Sequence, residues 1–371
     1  MTRQHPSDAL IFAPVGVAHL IGDNVDLLRT AAAGRSQVRV TTAAQLNGVP
    51  HFGTVVTMLT VFAFAAHAAD VLDLPATIVF DSLENAPAEH LEIDGQVYTR
   101  TVGDLIEVGR LDGAERLSGF ERLLTWARER SGVAYEFRPY DVYQGLRPVR
   151  QCLHRIASHL EEFAPIVAPR DGIVRIRPRC PACRLMQKSA LDLRITALSG
   201  AVRLDSHCPA HGAYSEVVHI DGGGWYDANT PVRSIQKGAL LAAERQIYDA
   251  CSVSVDGADW GGAWHSHVLA PALATLGIPV RDWPVSIFTP LIVDHTGGKL
   301  SKTLYVTQGA YADLPPLFLD LNVLLDSYGE DILHTVWAEI IRWAAEPRRL
   351  HRSYTVDYLR ALLDTQQPRT A

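Results

Sequence analysis

The sequence predicts an α/β fold: a parallel-sheet core with an inserted cysteine ribbon and a short helical C-terminal region. Three observations predict it. Gln37 to Thr42 (QVRVTT) alternates like a strand, a turn-rich LNGVPHFG follows, Thr54 to Leu72 reads as a mostly apolar helix, and Ala76 to Phe80 (ATIVF) is a short apolar run. That succession is the βαβ unit from which a parallel sheet is built. Two Cys-containing knuckles interrupt the pattern between about residues 172 and 219, and beyond Pro315 apolar residues recur at helical spacing.

Composition sets the outer bounds. With 371 residues, 47% apolar and 20% charged, the chain is long enough for one large catalytic domain with insertions or for two domains of ordinary size, and is far from a disordered composition. A formal net charge of -7 gives no global positive field, so nucleic-acid binding is not the default reading. The basic stretches Arg170 to Arg184 and Arg342 to Arg352 are expected to be solvated faces, with local patches as the alternative. The N-terminal residues lack the pattern of a secretory signal. No apolar run is expected to reach the roughly 18 residues that a membrane helix needs, because Thr54 to Asp73 is interrupted by Thr57, Thr60, His67 and Asp70. The expected location is cytoplasmic, where five cysteines with one CxxC pair argue for metal or redox use over disulfides.

Along the chain, no internal repeat or low-complexity segment occurs. The expected division is a first half of the core over 1–165, an inserted ribbon over 170–222, a second half of the core over 223–310 and a helical region over 311–371. In the ribbon, IVRIR, AVRLDS and SEVVHI are short strands. After it, Val232 to Asp249 reads as a helix, Cys251 to Asp256 as a strand ending at Gly257, and His265 to Leu276 as another helix.

Three constellations carry chemistry. Asn47, Gly48, His51, Gly53 and Thr54 lie between a parallel strand and the next helix, where a glycine lets backbone approach a nucleotide and a helix N-terminus offers free N–H groups to phosphate. His51 could hydrogen-bond a triphosphate as charge develops on it. The second is Gly297 to Thr303 (GGKLSKT), a glycine-flanked loop whose Lys299 and Lys302, with Ser301 between them, could close over a leaving pyrophosphate. In the third, Cys180-Pro-Ala-Cys183 and Cys208-Pro-Ala-His211 have the spacing of a tetrahedral Cys₃His zinc site, closed and therefore structural. Cys152 and Cys251 lack partner spacing and are expected to be core thiols.

For a substrate ammonium the candidates are Asp81, Glu84 and Asp227, with Asp81 favoured because it ends a parallel strand. Trp225, Tyr226, Trp260 and Trp264 are candidates for a side-chain pocket, core packing being the alternative. His265 and His267 are expected to be helix-surface or packed residues.

The first two constellations, HFGT and KLSKT in that order, together resemble the HIGH and KMSKS signature motifs of class I aminoacyl-tRNA synthetases. Val255 to Gly262 is similar to the strand-end segment that holds the adenosine ribose in such enzymes, so the resemblance covers roughly residues 36 to 310. Within that superfamily the chain looks most like the archaeal-type class I lysyl-tRNA synthetases. The similarity lies in the cysteine ribbon inserted before Asp227, Pro231 and Arg233 and in the segment followed by Gly261-Gly262. Thr54 stands where the motif has its second histidine, Leu300 where it has methionine, and Thr303 where it has serine.

The resemblance implies a Rossmann-like (HUP) nucleotide-binding core and an ATP- and Mg²⁺-dependent aminoacyl adenylate. It puts His51 and Thr54 on ATP phosphates, Lys299 and Lys302 on the pentacovalent phosphorus, and Gly257 and Asp259 near the adenosine. It implies lysine or another basic amino acid as substrate. Only roughly 65 residues follow the second motif, where a lysyl-tRNA synthetase carries a large anticodon-binding domain. The expected acceptor is therefore a small molecule or peptide in a specialised pathway. The alternatives are a tRNA acceptor stem gripped through the ribbon and Arg170 to Arg184, and a non-catalytic protein that binds an amino acid or nucleotide. The sequence does not set the oligomeric state.

Overall fold

The structure, a computed structural model, describes residues 24–300 and 314–364. Helix α1 (Asn24–Ala32) leads into strand β1 (Gln37–Gln45), helix α2 (Phe52–Leu72) and strand β2 (Ala76–Leu83). A hairpin of β3 (Pro87–Ile93) and β4 (Gln96–Thr101) follows, then α3 (Val102–Glu107), α4 (Gly113–Ser131) and β5 (Ala134–Pro139). Helices α5 (Tyr140–Gly145), α6 (Arg147–Ser158) and α7 (Leu160–Val167) lead to the ribbon. The ribbon comprises β6 (Ile176–Arg177), β7 (Met186–Gln187), β8 (Arg194–Leu198), β9 (Ala201–Cys208) and β10 (Gly212–His219). The chain returns through β11 (Asp227–Ala228), α8 (Thr230–Ile247), β12 (Ala250–Gly257), a π-helical turn (Gly261–Leu269), α9 (Ala270–Thr275), β13 (Val285–Thr289) and β14 (Ile292–Val293). It closes with α10 (Leu321–Tyr328), α11 (Asp331–Ala345), α12 (Pro347–Leu350), β15 (Tyr354–Thr355) and α13 (Val356–Leu363).

Five strands form one parallel sheet in the order β13-β12-β1-β2-β5. Its centre is apolar on both faces, as strands covered by helices on both sides must be: Val38 and Val40 of β1, Ile78 and Phe80 of β2 and Val253 and Val255 of β12 are all fully buried. From β1 the chain winds outward to β2 and β5, and on the other side from β12 to β13. The order therefore reverses between β1 and β12, and connections leaving the carboxyl ends of these two strands diverge and open a crevice.

One expectation needs correcting. Helix α2, with its 21 residues and a mean hydropathy of 1.8, is long and apolar enough to cross a membrane. The scattered Thr57, Thr60 and His67 do not offset its apolar majority. Its place is the protein core, where Val55, Leu59, Val61, Phe62 and Phe64 are buried from all sides and α11 covers it with Trp337, Ile340 and Trp343. A helix apolar all round is one that packs on both sides.

A second difference concerns the helix expected over His265 to Leu276. The chain instead forms a wide π-helical turn before α9, with the amide of Ala270 donating to His265 O. Pro271 has no N–H and its ring crowds the carbonyl one turn back, which the wider turn relieves, and Gly261-Gly262 weaken the regular helix further.

The ribbon is a three-stranded antiparallel sheet, β10-β9-β8, stitched to its surroundings: β7 pairs with β4 (Tyr98↔Gln187), and β6 pairs with β11 (Arg177↔Asp227). The buried Arg150 of α6 donates to the carbonyls of Gln144, His219, Gly223 and Gly224, and so clamps the glycine-rich return from ribbon to core.

Candidate functional site

The crevice between β1 and β12 has a volume of about 410 Å³. One wall comes from the carboxyl end of β1 and the start of α2, with Asn47, His51, Gly53 and Thr54. Phe52 to Thr54 are the first residues of α2, and the cap residue His51 gives its opening N–H groups no side-chain acceptor. Gly53 is needed there: a Cβ at that position would stand 2.8 Å from His51 Cε1, so only glycine lets the imidazole lie against the first turn.

The facing wall comes from the end of β12 and the hairpin after β13. Asp256, Gly257, Asp259, Trp260, Trp264 and His265 line it, with Phe288, Pro290, Lys299 and Leu300. A Cβ on Gly257 would meet Asp259 Oδ1 at 2.6 Å, so this glycine lets the aspartate fold back beside the strand end. Asp294 shapes the approach to the lysine loop: its carboxylate accepts from the amides of Thr296 and Gly298 and from the Thr296 hydroxyl, which hold it below the usual carboxylate range. Leu300 is buried in the core and anchors that loop as an apolar side chain. Ser301 and Lys302 lie outside the described residues.

A third side is built by β2, α5 and α8, from which Asp81, Tyr143, Arg233, Ser234 and Lys237 reach the crevice. Asp81 is deeply buried, and both its oxygens accept from Arg138, at 2.5 and 3.1 Å. Arg138 also donates to Glu244 at 2.8 Å. Burial pushes the Asp81 carboxyl up, and the guanidinium pulls against it. Arg138 thus joins two buried carboxylates, of which Asp81 lines the crevice.

The other candidates for the ammonium lie elsewhere. Glu84 is held by the Ser82 hydroxyl and the Tyr140 amide, and burial raises its pKa. Asp227 is buried between Asn85 and Arg177. Neither lines the crevice, and neither does Gly48. Among the aromatic candidates, Trp260 and Trp264 line it as a tilted pair 5.5 Å apart, whereas Tyr226 is core, bonded to Gln236, and Trp225 donates to Asp141. Of the two alternatives for His265, helix surface or packed, it takes the packed one. It is half-buried in the crevice wall against Phe288, and burial lowers its pKa, so it is neutral at pH 7. The signal that could have placed it is its position one turn after Gly261-Gly262.

Away from the crevice, Cys180, Cys183, Cys208 and His211 offer ligand atoms within 4.8 Å of one another. His211 Nδ1 is 3.6 Å from Cys180 Sγ and 3.4 Å from Cys208 Sγ, and Cys183 and Cys208 Sγ are 3.5 Å apart. Bond lengths of about 2.3 Å to sulfur and about 2.0 Å to nitrogen place the corners of a tetrahedral zinc site about 3.5 to 3.8 Å apart, so the four groups fit that ion. Cys152 and Cys251 are buried singly, and burial pushes the Cys152 thiol up to about 12.

The basic stretch before the knuckle is largely neutralised. Arg175 pairs with Asp171, Arg177 with Asp227, Arg179 with Asp104, and Arg184 with Glu107. Arg179 and Arg184 fasten the ribbon to α3 and Arg177 fastens it to β11, while Arg175 pairs locally.

No protein-family model matches this chain, and neither does any curated protein. Solved structures show distant similarity. A Campylobacter jejuni structure assigned as an arginyl-tRNA synthetase aligns with 91% of this chain and 72% of its own, at 10% identity and a TM-score of 0.39. The glutamate-tRNA synthetase of Elizabethkingia anophelis aligns over 89% and 70%, at 14% identity and a TM-score of 0.40. A glutamate tRNA ligase from Elizabethkingia meningosepticum, in complex with its amino acid, aligns over 89% and 69%, at 13% identity and a TM-score of 0.39. At these scores the similarities assign the chain to no family.

Proposed function

We propose that the chain is an ATP-dependent ligase that activates an amino acid as its aminoacyl adenylate and passes the acyl group to an acceptor. A carboxylate oxygen of the amino acid attacks the α-phosphorus of ATP, and the bond to the bridging oxygen breaks to release pyrophosphate. An acceptor amine or hydroxyl then attacks the acyl carbon, and AMP leaves. One observation carries this reading: His51, the open N-terminus of α2 and Lys299 converge on a single crevice where the strand order reverses.

In this reading Asn47, Gly53, His51 and Thr54 take the phosphates, with Mg²⁺ carried in on ATP. Lys299, with Ser301 and Lys302, closes over the pyrophosphate. Gly257, Asp259 and Trp260 border the adenosine, and Asp81, backed by Arg138, receives the ammonium. The Cys₃His cluster holds a structural Zn²⁺. Because the ribbon arginines are paired, a small-molecule or peptide acceptor is favoured over a tRNA acceptor stem.

The test is amino-acid-dependent ATP–pyrophosphate exchange with and without added tRNA. Exchange without tRNA, abolished in His51→Ala and Lys302→Ala, is expected. A chain that binds ATP or an amino acid yet gives no exchange under either condition would instead be a non-catalytic binding protein.

A further inference from the structure

Charges lining the crevice come in matched sets. Asp81 is paired with Arg138, Asp256 with Lys237 through two contacts of 3.0 Å, and Asp259 with Lys299. Among the described residues lining the crevice, Arg233 is the one charged side chain without an ion partner or a side-chain hydrogen bond. It is half-buried, one turn into α8, where a guanidinium loses much of its hydration.

Position separates Arg233 from the phosphate-binding wall. Its carbonyl accepts from the Tyr143 hydroxyl at 3.3 Å, which ties this turn of α8 to α5, on the side of the crevice that Asp81 also lines. His51 stands where β1 ends and α2 begins, and Gly257 and Lys299 stand on the facing wall where β12 and β13 end. A carboxylate activated against ATP must lie between those two walls, so whatever meets Arg233 on the third side is another part of the substrate.

We infer that Arg233 anchors a second anionic group, and that the substrate is an acidic amino acid whose side-chain carboxylate pairs with this guanidinium. The inference rests on the adenylation reading and refines it. With the α-ammonium on the Asp81 trio and the α-carboxylate directed to ATP, the side chain extends toward α8 and finds a fork of donors suited to bidentate recognition of a carboxylate. A basic side chain, which the sequence resemblance implies, would place its cation against an unpaired guanidinium.

The test measures binding and exchange separately on the full chain. Calorimetry with L-glutamate, L-aspartate, L-glutamine and L-lysine should show at least one acidic amino acid bound tenfold or more tightly than glutamine or lysine. Arg233→Gln should remove that preference while keeping the melting temperature, and Arg233→Lys should restore part of it. Exchange should follow the same order. Exchange with lysine equal to or above that with the acidic amino acids, or an acidic preference surviving Arg233→Gln, would overturn the inference and leave adenylation standing. Arg233-dependent binding of an acidic amino acid with no exchange would uphold the inference and overturn adenylation. Neither binding nor exchange would overturn both.

Discussion

Lys299 meets the carboxylate of Asp259 at 2.5 Å along one wall of the crevice, joining the turn after β12 to the hairpin that carries the lysine loop. Both side chains are well exposed, so the pair adds little to stability. Its weight falls on the proposed chemistry, where the ammonium stabilises charge leaving with pyrophosphate. Lys299→Ala is expected to lower the exchange rate about 100-fold, the cost of losing one preorganised donor, with the melting temperature unchanged. Parallel exchange assays and thermal scans check both halves.

Arg138 holds two buried carboxylates, Asp81 and Glu244. Replacing it with Met strands both, at an expected cost of about 3–5 kcal/mol in urea unfolding. Burial raises the Asp81 carboxyl, and without the guanidinium nothing opposes that rise, so the loss should shrink as the pH is lowered and Asp81 protonates.

His351 gives the opposite slope. It is fully buried after α12, and burial depresses its imidazole from 6.5 to about 4. The unfolded chain takes up its proton first as the pH falls. Stability from this residue is therefore complete above about pH 6.5 and declines toward pH 4, by up to about 3 kcal/mol. Urea midpoints at pH 7.5, 6 and 5 should fall in that order, and His351→Gln should flatten the decline.

The Cys₃His cluster predicts one zinc per chain. Chelation, or Cys208→Ser, should release the metal and accelerate amide exchange in β8, β9 and β10, while β1, β2 and β12 of the parallel sheet stay protected. Metal analysis and hydrogen exchange by mass spectrometry give the two readouts.

The parts of the fold legible in the sequence are those written locally. β1 announces itself through alternation, α2, β2 and β12 through apolar runs, and the two knuckles through a two-residue spacing. What escaped depends on partners far along the chain. Asp81 reads as a strand-end carboxylate, but Arg138, which binds it, is 57 residues away, and Glu244, which shares that arginine, 106 further on. Arg179 and Arg184 read as a basic stretch until the fold brings Asp104 and Glu107 against them. Arg233 carried no sequence signal of its own beyond the family resemblance. Its unmatched charge exists only because α8 lies along the crevice.

The small ladder between β14 and β15 ties the hairpin of Lys299 to the last helices: Tyr354 N donates to Leu291 O, and the Tyr354 ring stacks on Trp343 at 4.0 Å. Because Trp343 and its neighbours on α11 also roof α2, the C-terminal region is no detachable appendage. A chain severed by design between residues 300 and 314 should remain a tight two-piece assembly. Co-expressed as separate polypeptides, the halves should find each other, whereas the larger piece alone, with α2 bared, should precipitate.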